Sequence, residues 1–195
     1  MHGPVQGDDG RTRCPWGDAP ADYRAYHDNE WGRPVTDDQA LFERLSLEAF
    51  QSGLSWLTIL RKREAFRRAF ADFAPVVVAA YDATDIDRLL GDAAIVRNRA
   101  KIEATIANAG ATCALDVPLA QLLWGFAPPD AERPVPSSLD DVAAATPEST
   151  AIAKELKRRG FRFVGPTTAY ALMQASGMVN DHLAGCWVRG LAGQH

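Results

Sequence analysis

A chain of 195 residues, 47% of them hydrophobic, can bury one compact domain or two lobes sharing a core, and a net charge of −4 does not mark it as a nucleic-acid binder by composition alone. The longest apolar run, Phe73 to Tyr81, is too short for a membrane span and is broken by Pro75; the first ten residues lack the basic start and apolar core of a signal peptide. Three cysteines, an odd number, argue against a disulfide framework, and the expectation is a cytoplasmic protein with no membrane association.

Residues 1–11 read as a loose leader ahead of a single domain over 12–195. Strand signals are nearly absent, and helix signals recur throughout. Thr36-Asp37-Asp38-Gln39 is a capping box that opens a helix to about Ser52. Leu41, Phe42, Leu45 and Ala49 form its apolar stripe, and Glu48 lies one heptad after Leu41, on nearly the same side. Gly53 ends this helix. Ser55 caps the next, from about Trp56 to Phe70. Pro75 suits the first turn of a short helix, and Thr84, with Asp87 as box partner, starts another that stops near Gly91. A further helix is expected from Arg97 to Ala109, closed by Gly110. The prolines of 127–138 make a connection or lobe boundary. Thr146-Pro147-Glu148 begins a helix ending in Lys157-Arg158-Arg159-Gly160, and a turn over Phe161 to Gly165 leads into a last helix from about Thr167 to Ser176, closed by Gly177. The reading is all-α, with roughly eight helices.

Tyr26-His27-Asp28-Asn29-Glu30-Trp31-Gly32 concentrates aromatic, imidazole and carboxylate groups in a way that a solvated loop does not need. Cys14, His27, His182 and Cys186 supply two sulfurs and two nitrogens, a donor set that suits a tetrahedral structural zinc; His182 and Cys186 face the same way if their segment is helical. The alternative is two core cysteines and two hydrogen-bonded histidines. Glu48, a carboxylate on an apolar helix side, is either paired or functional, and the small residues near Trp56 leave room for a planar guest. Trp16, Tyr23, Tyr26 and Trp56 can stack on a nucleobase, whereas Trp31 reads as core. The cluster Lys154, Lys157, Arg158, Arg159 and Arg162 precedes a glycine-containing turn and a fresh helix start, a phosphate-binding arrangement in which Arg159, Phe163, Gly165 and Thr167 are the candidate DNA contacts. A solvated helix end is the alternative.

These segments carry a resemblance. Arg13-Cys14-Pro15-Trp16, the AYHDNEWG of Ala25–Gly32, the LEAFQSGLSW of Leu47–Trp56, the RNRAKI of Arg97–Ile102, the LKRRGFRFVG of Leu156–Gly165 and the MVNDHLAGC of Met178–Cys186 resemble the bacterial 3-methyladenine DNA glycosylase I family, within the wider helix-hairpin-helix glycosylases. The similarity covers about residues 12–187. It implies a two-lobed all-helical fold, one structural zinc ion on Cys14, His27, His182 and Cys186 that joins the N- and C-terminal segments, and a flipped-base pocket containing Glu48, Tyr26 and Trp56 with Trp16 and Tyr23 nearby. It also implies that the usual catalytic aspartate of the wider group is missing, leaving Glu48 as the catalytic candidate. The implied activity is hydrolytic removal of 3-methyladenine from alkylated double-stranded DNA without a lyase step, by a monomer needing no protein partner. Ala49 and Ser52 stand where the family often has Gly and Ala. Rival readings are a non-catalytic zinc-dependent DNA-binding module, a glycosylase for another N3-alkyl purine, and a nucleobase hydrolase.

Overall fold

A computed structural model of the chain describes residues 3–129 and 133–191, so the centre of the proline-rich connection expected over 127–138 lies outside the described residues. Among the described residues there are nine α-helices: α1 (Ala21–Asn29), α2 (Asp38–Gln51), α3 (Trp56–Ala69), α4 (Pro75–Ala79), α5 (Ala83–Gly91), α6 (Arg99–Cys113), α7 (Leu119–Trp124), α8 (Pro147–Arg158) and α9 (Pro166–Ala175). No helix of the described residues is long and apolar enough to cross a membrane.

The hub is α2. Leu41, Phe42, Leu45, Leu47 and Phe50 are buried, and α3, α6, α7 and α9 all pack against this helix. Phe50 meets Phe66 at a 4.6 Å centroid distance, and Phe70 stacks on Phe73 at 5.5 Å. Burying each such ring contributes ~2 kcal/mol. This core makes α2 a rigid mount for whatever its remaining side presents.

Several helix starts differ from the sequence expectation, each for a local reason. Asp37, not Thr36, caps α2, its carboxylate accepting the Ala40 N–H at 2.8 Å. Asp38 turns the other way and accepts the N–H groups of Leu119 and Ala120 at 3.2 and 2.8 Å, capping α7. Pro118 offers α7 no side-chain cap of its own, so the sequence carries no local signal for that helix. In α5, Asp82 and Asp85 form the box in place of Thr84 and Asp87. Gly110 does not close α6; its carbonyl still accepts the Ala114 N–H at 3.1 Å, and the helix runs on to Cys113.

Residues 3–11 are not a loose leader. Strand β1 (Val5–Gln6) pairs antiparallel with β2 (Thr12–Arg13). Arg13, with its side chain 1% exposed, binds Asp9 at 2.6 Å and Asp28 at 2.8 Å, and Arg24 binds Asp8 at 2.7 Å. Burial of that guanidinium requires both carboxylates, which ties the ribbon to α1.

Candidate functional site

Cys14, His27, His182 and Cys186 converge. Their ligand atoms all lie within 4.8 Å of one another, and all four residues are buried. The sulfur–nitrogen separations are 3.5 Å for Cys186–His27, 3.6 Å for Cys186–His182 and 3.9 Å for Cys14–His182. A tetrahedral zinc with ordinary Zn–S and Zn–N bonds requires sulfur and nitrogen about 3.6 Å apart. The surrounding contacts fit as well. His27 aims Nε2 inward and places Nδ1 2.8 Å from the Asp28 carboxylate; His182 aims Nδ1 inward and places Nε2 3.2 Å from the Trp31 carbonyl. A fixed outer partner for each imidazole is what a metal-ligating histidine needs. Asp28 is itself held by Arg13 and by the Trp187 indole N–H at 3.3 Å. Gly17 makes room for the His27 ring, since a Cβ there would come within 2.3 Å of His27 Cδ2.

His182 and Cys186 do not sit on a helical turn. The segment is an irregular loop in which the Cys186 N–H meets the Leu183 carbonyl at 2.9 Å and Gly185 adopts φ +84°. The loop brings the two ligands together by a different route from the one spacing suggests.

Next to this cluster is a cavity of about 220 Å³, lined by Trp16, Tyr23, Tyr26, Trp31, Glu48, Gln51 and Trp56, and closed on the far side by Ala171, Gln174 and Asp181 with Leu139 and Val142. All five residues expected for the base site lie in its wall. Trp31, expected in the core, also lines it, with its ring edge-on to Trp16 at 4.9 Å and to His182 at 4.6 Å. Tyr26 and Trp56 are tilted against each other at 5.5 Å. The Trp56 indole nitrogen is buried without a hydrogen-bond partner. Gln51, Gln174 and Asp181 were not singled out from the sequence as site residues. Ala171 and Gln174, three apart on α9, carry a helical-face signal, but the far wall is identifiable only once α9 is placed beside α2.

The two carboxylates of the cavity differ sharply. Asp181 accepts from Tyr170 Oη at 2.6 Å, Gln174 Nε2 at 2.8 Å and Arg133 Nη2 at 2.7 Å. Glu48 is 6% exposed, and among the described residues no group donates a hydrogen bond to it. Desolvation pushes its carboxyl up to about 8, opposed only by the more distant charge of Arg44. A buried acid without a partner costs stability.

Two exposed turns lead into elements of the cavity wall. Ser52–Ser55 joins α2 to α3, with Gly53 at φ +80° and Leu54 41% exposed, between Gln51 and Trp56 of the cavity wall. The second turn joins α8 to α9. There Phe163 is 48% exposed at φ +57°, and Gly165 and Thr167 are exposed at the start of α9. The Arg159 guanidinium pairs with Glu155 at 2.6 Å and with Asp116. Lys154, Lys157, Arg158 and Arg162 are exposed cations of α8 and the turn.

With the geometry in place, residues 16–189 match the family model for methyladenine glycosylase. The DNA-3-methyladenine glycosylase 1 of Escherichia coli is 46% identical over 177 residues, spanning 89% of this chain and 95% of its own. A crystal structure of 3-methyladenine DNA glycosylase I is similar with a TM-score of 0.85 at 46% identity, covering 90% of this chain and 98% of that one. The 3-methyladenine DNA glycosylase I of Staphylococcus aureus, solved to give the structural basis of its 3-methyladenine recognition, is 36% identical with a TM-score of 0.83, covering 94% of this chain and 97% of its own.

Proposed function

The chain belongs to the methyladenine glycosylase family, and from that premise we propose that it hydrolyses the bond between 3-methyladenine and deoxyribose in alkylated double-stranded DNA. The single observation that carries this reading is Glu48: an acid without a hydrogen-bond partner, buried in a cavity walled by Trp16, Tyr26, Trp31 and Trp56. Methylation at N3 makes adenine cationic and weakens its bond to the sugar. The leaving group is already activated, so selection can rest on recognition. Trp56 stacks on the turned-out base, Tyr26 lies against its edge, and Glu48 ionises as the cation enters, accepting hydrogen bonds from the side bearing the amino group. Water completes the reaction at the sugar carbon, leaving an abasic site. None of the lining residues is a lysine, which supports a reaction without a Schiff-base lyase step.

The α8–turn–α9 unit acts as the helix-hairpin-helix, its exposed backbone over Phe163–Thr167 meeting phosphates at the α9 N-terminus. Leu54, carried on the tight turn between two wall elements, fills the gap that the displaced base leaves in the duplex. Cys14, His27, His182 and Cys186 hold a structural zinc; four protein ligands leave no open position, so the ion supplies stability and not Lewis-acid chemistry. The protein acts as a monomeric two-lobed domain on bacterial DNA in the cytoplasm.

Mass spectrometry of bases released from methylated duplex DNA tests the reading: 3-methyladenine is the expected product, and no released purine would refute it. Two finer predictions accompany it. Trp56→Ala weakens binding of free 3-methyladenine by roughly tenfold, within the range for one lost stacking partner, measured by tryptophan fluorescence quenching or calorimetry; unchanged affinity would remove the stacking role. Leu54→Ala leaves free-base affinity intact but lowers kcat/KM on duplex DNA by about tenfold, with a smaller loss on single-stranded substrate, where no gap needs filling. Equal losses on both substrates would count against the wedge.

A further inference from the structure

Helix α6 contributes no residue to the cavity wall. It nevertheless buries three polar side chains along one face: Lys101 at 8%, Thr105 at 2% and Asn108 at 1% exposure. Burying such groups is unfavourable unless each is bonded, and apolar side chains would stabilise the interior more simply. Thr105 bonds back to its own helix, Oγ1 donating to the Lys101 carbonyl at 2.9 Å. The other two bond outward to backbone. Lys101 Nζ donates to the Phe50 carbonyl at 2.9 Å and to the Ser52 carbonyl at 2.6 Å, at the C-terminus of α2, where a cation also meets the negative end of the helix dipole. The next residues are Gly53 and the exposed Leu54. Asn108 clamps Arg162 from both sides: its Oδ1 accepts the Arg162 N–H at 2.7 Å, and its Nδ2 donates to the Arg162 carbonyl at 3.0 Å. The next residue is the exposed Phe163 at φ +57°.

Lys101 and Asn108 therefore end at the Ser52–Ser55 turn and at the hairpin turn, each of which leads into an element of the cavity wall. They are one heptad apart, on the same helix face, about 10 Å along the axis. We propose that α6 is a strut that fixes the spacing between the Ser52–Ser55 turn and the hairpin turn, with Lys101 and Asn108 as positioning residues for duplex binding; this rests on the DNA-glycosylase reading above. Two turns that must engage one duplex together need a fixed separation. Bonds to backbone carbonyl and N–H groups hold chain position in a way that a slippery apolar contact does not. No α6 side chain lines the cavity, although Lys101 grips the backbone on either side of the wall residue Gln51, so free-base affinity is measured beside duplex affinity.

The test compares two affinities in Lys101→Met, Asn108→Leu and the double variant: free 3-methyladenine by fluorescence quenching, and a labelled undamaged DNA duplex by anisotropy. Each single variant is expected to keep free-base affinity within about twofold while losing about tenfold in duplex affinity, the size of effect for two lost hydrogen bonds. Because one freed end already releases the spacing, the double variant should also lose about tenfold. Equal losses for base and duplex would mean that α6 merely supports the fold. Unchanged duplex affinity, or a loss of about a hundredfold in the double variant as for two independent anchors, would likewise overturn the strut. Should Asn108→Leu not fold, Asn108→Ser, which shortens the reach but remains polar, carries the same comparison. A wild-type protein that releases no base refutes the glycosylase reading separately, while the duplex affinities still judge the strut.

Discussion

Glu48→Gln should fold normally and release 3-methyladenine from methylated DNA about a hundredfold more slowly than the parent protein, as for loss of one preorganised charge facing a charged reacting group. The amide keeps the shape of the side chain, so the loss reports the charge and not a cavity. The pH dependence gives an independent signature. In the free protein burial holds the Glu48 proton on up to about pH 8. A base with a fixed positive charge is best received by the carboxylate, so kcat/KM should rise with pH and level off above about 8, following the free-enzyme group. In Glu48→Gln that rising limb should vanish.

Stability should move in the opposite sense. The folded state holds this proton more tightly than the unfolded chain, so the contribution of Glu48 is intact below its ordinary carboxyl range and is lost as pH rises through about 8. Relative to the parent, Glu48→Gln should therefore gain roughly 3 kcal/mol between pH 5 and pH 9, a figure reduced for relaxation around the buried acid. Denaturant melts at the two pH values check this. Parallel curves, together with parent-like base release, would remove Glu48 from the mechanism.

The second large effect is expected in the cysteine–histidine cluster. His182→Ala should leave the purified protein without zinc by elemental analysis and destabilise it by roughly 3–5 kcal/mol, the range for breaking a buried charged cluster. For a chain of this length that lowers Tm by roughly 10–15 °C. Chelation of the parent protein should reproduce the shift. Base release should fall as well, because Trp31 both accepts the His182 ring nitrogen through its carbonyl and stands in the cavity wall. Zinc content that survives the substitution would disprove the ligand assignment.

Much of this site could be read from the chain because its residues advertise themselves. Cysteines and histidines are scarce here, a glutamate on an apolar helix side is anomalous, and tryptophans cluster in the first third. Helix ends with a cap of their own were equally readable: Ser55 caps α3 and Thr146 caps α8 as expected. What failed had its cause elsewhere in the fold. The start of α7 is held by Asp38, and α1, capped by Pro20 without a side-chain bond, carries no start signal. Residues 3–11 are ordered through Arg13, whose partner Asp9 looks like an ordinary surface acid in the sequence. Lys101 and Asn108 were passed over because a lysine and an asparagine in a helix normally imply solvent.

The cysteine–histidine cluster takes two members from near the beginning of the chain and two from near its end, and the cavity is likewise walled by Trp16 and Tyr26 on one side and by Gln174 and Asp181 on the other. A ribosome making this protein therefore releases the aromatic half of the cavity long before its opposite wall exists. A growing chain that stops short of Gln174 cannot close the cavity, and one that stops short of Cys186 cannot complete the four-residue cluster, so both arrive together with the residues from Gln174 to Cys186.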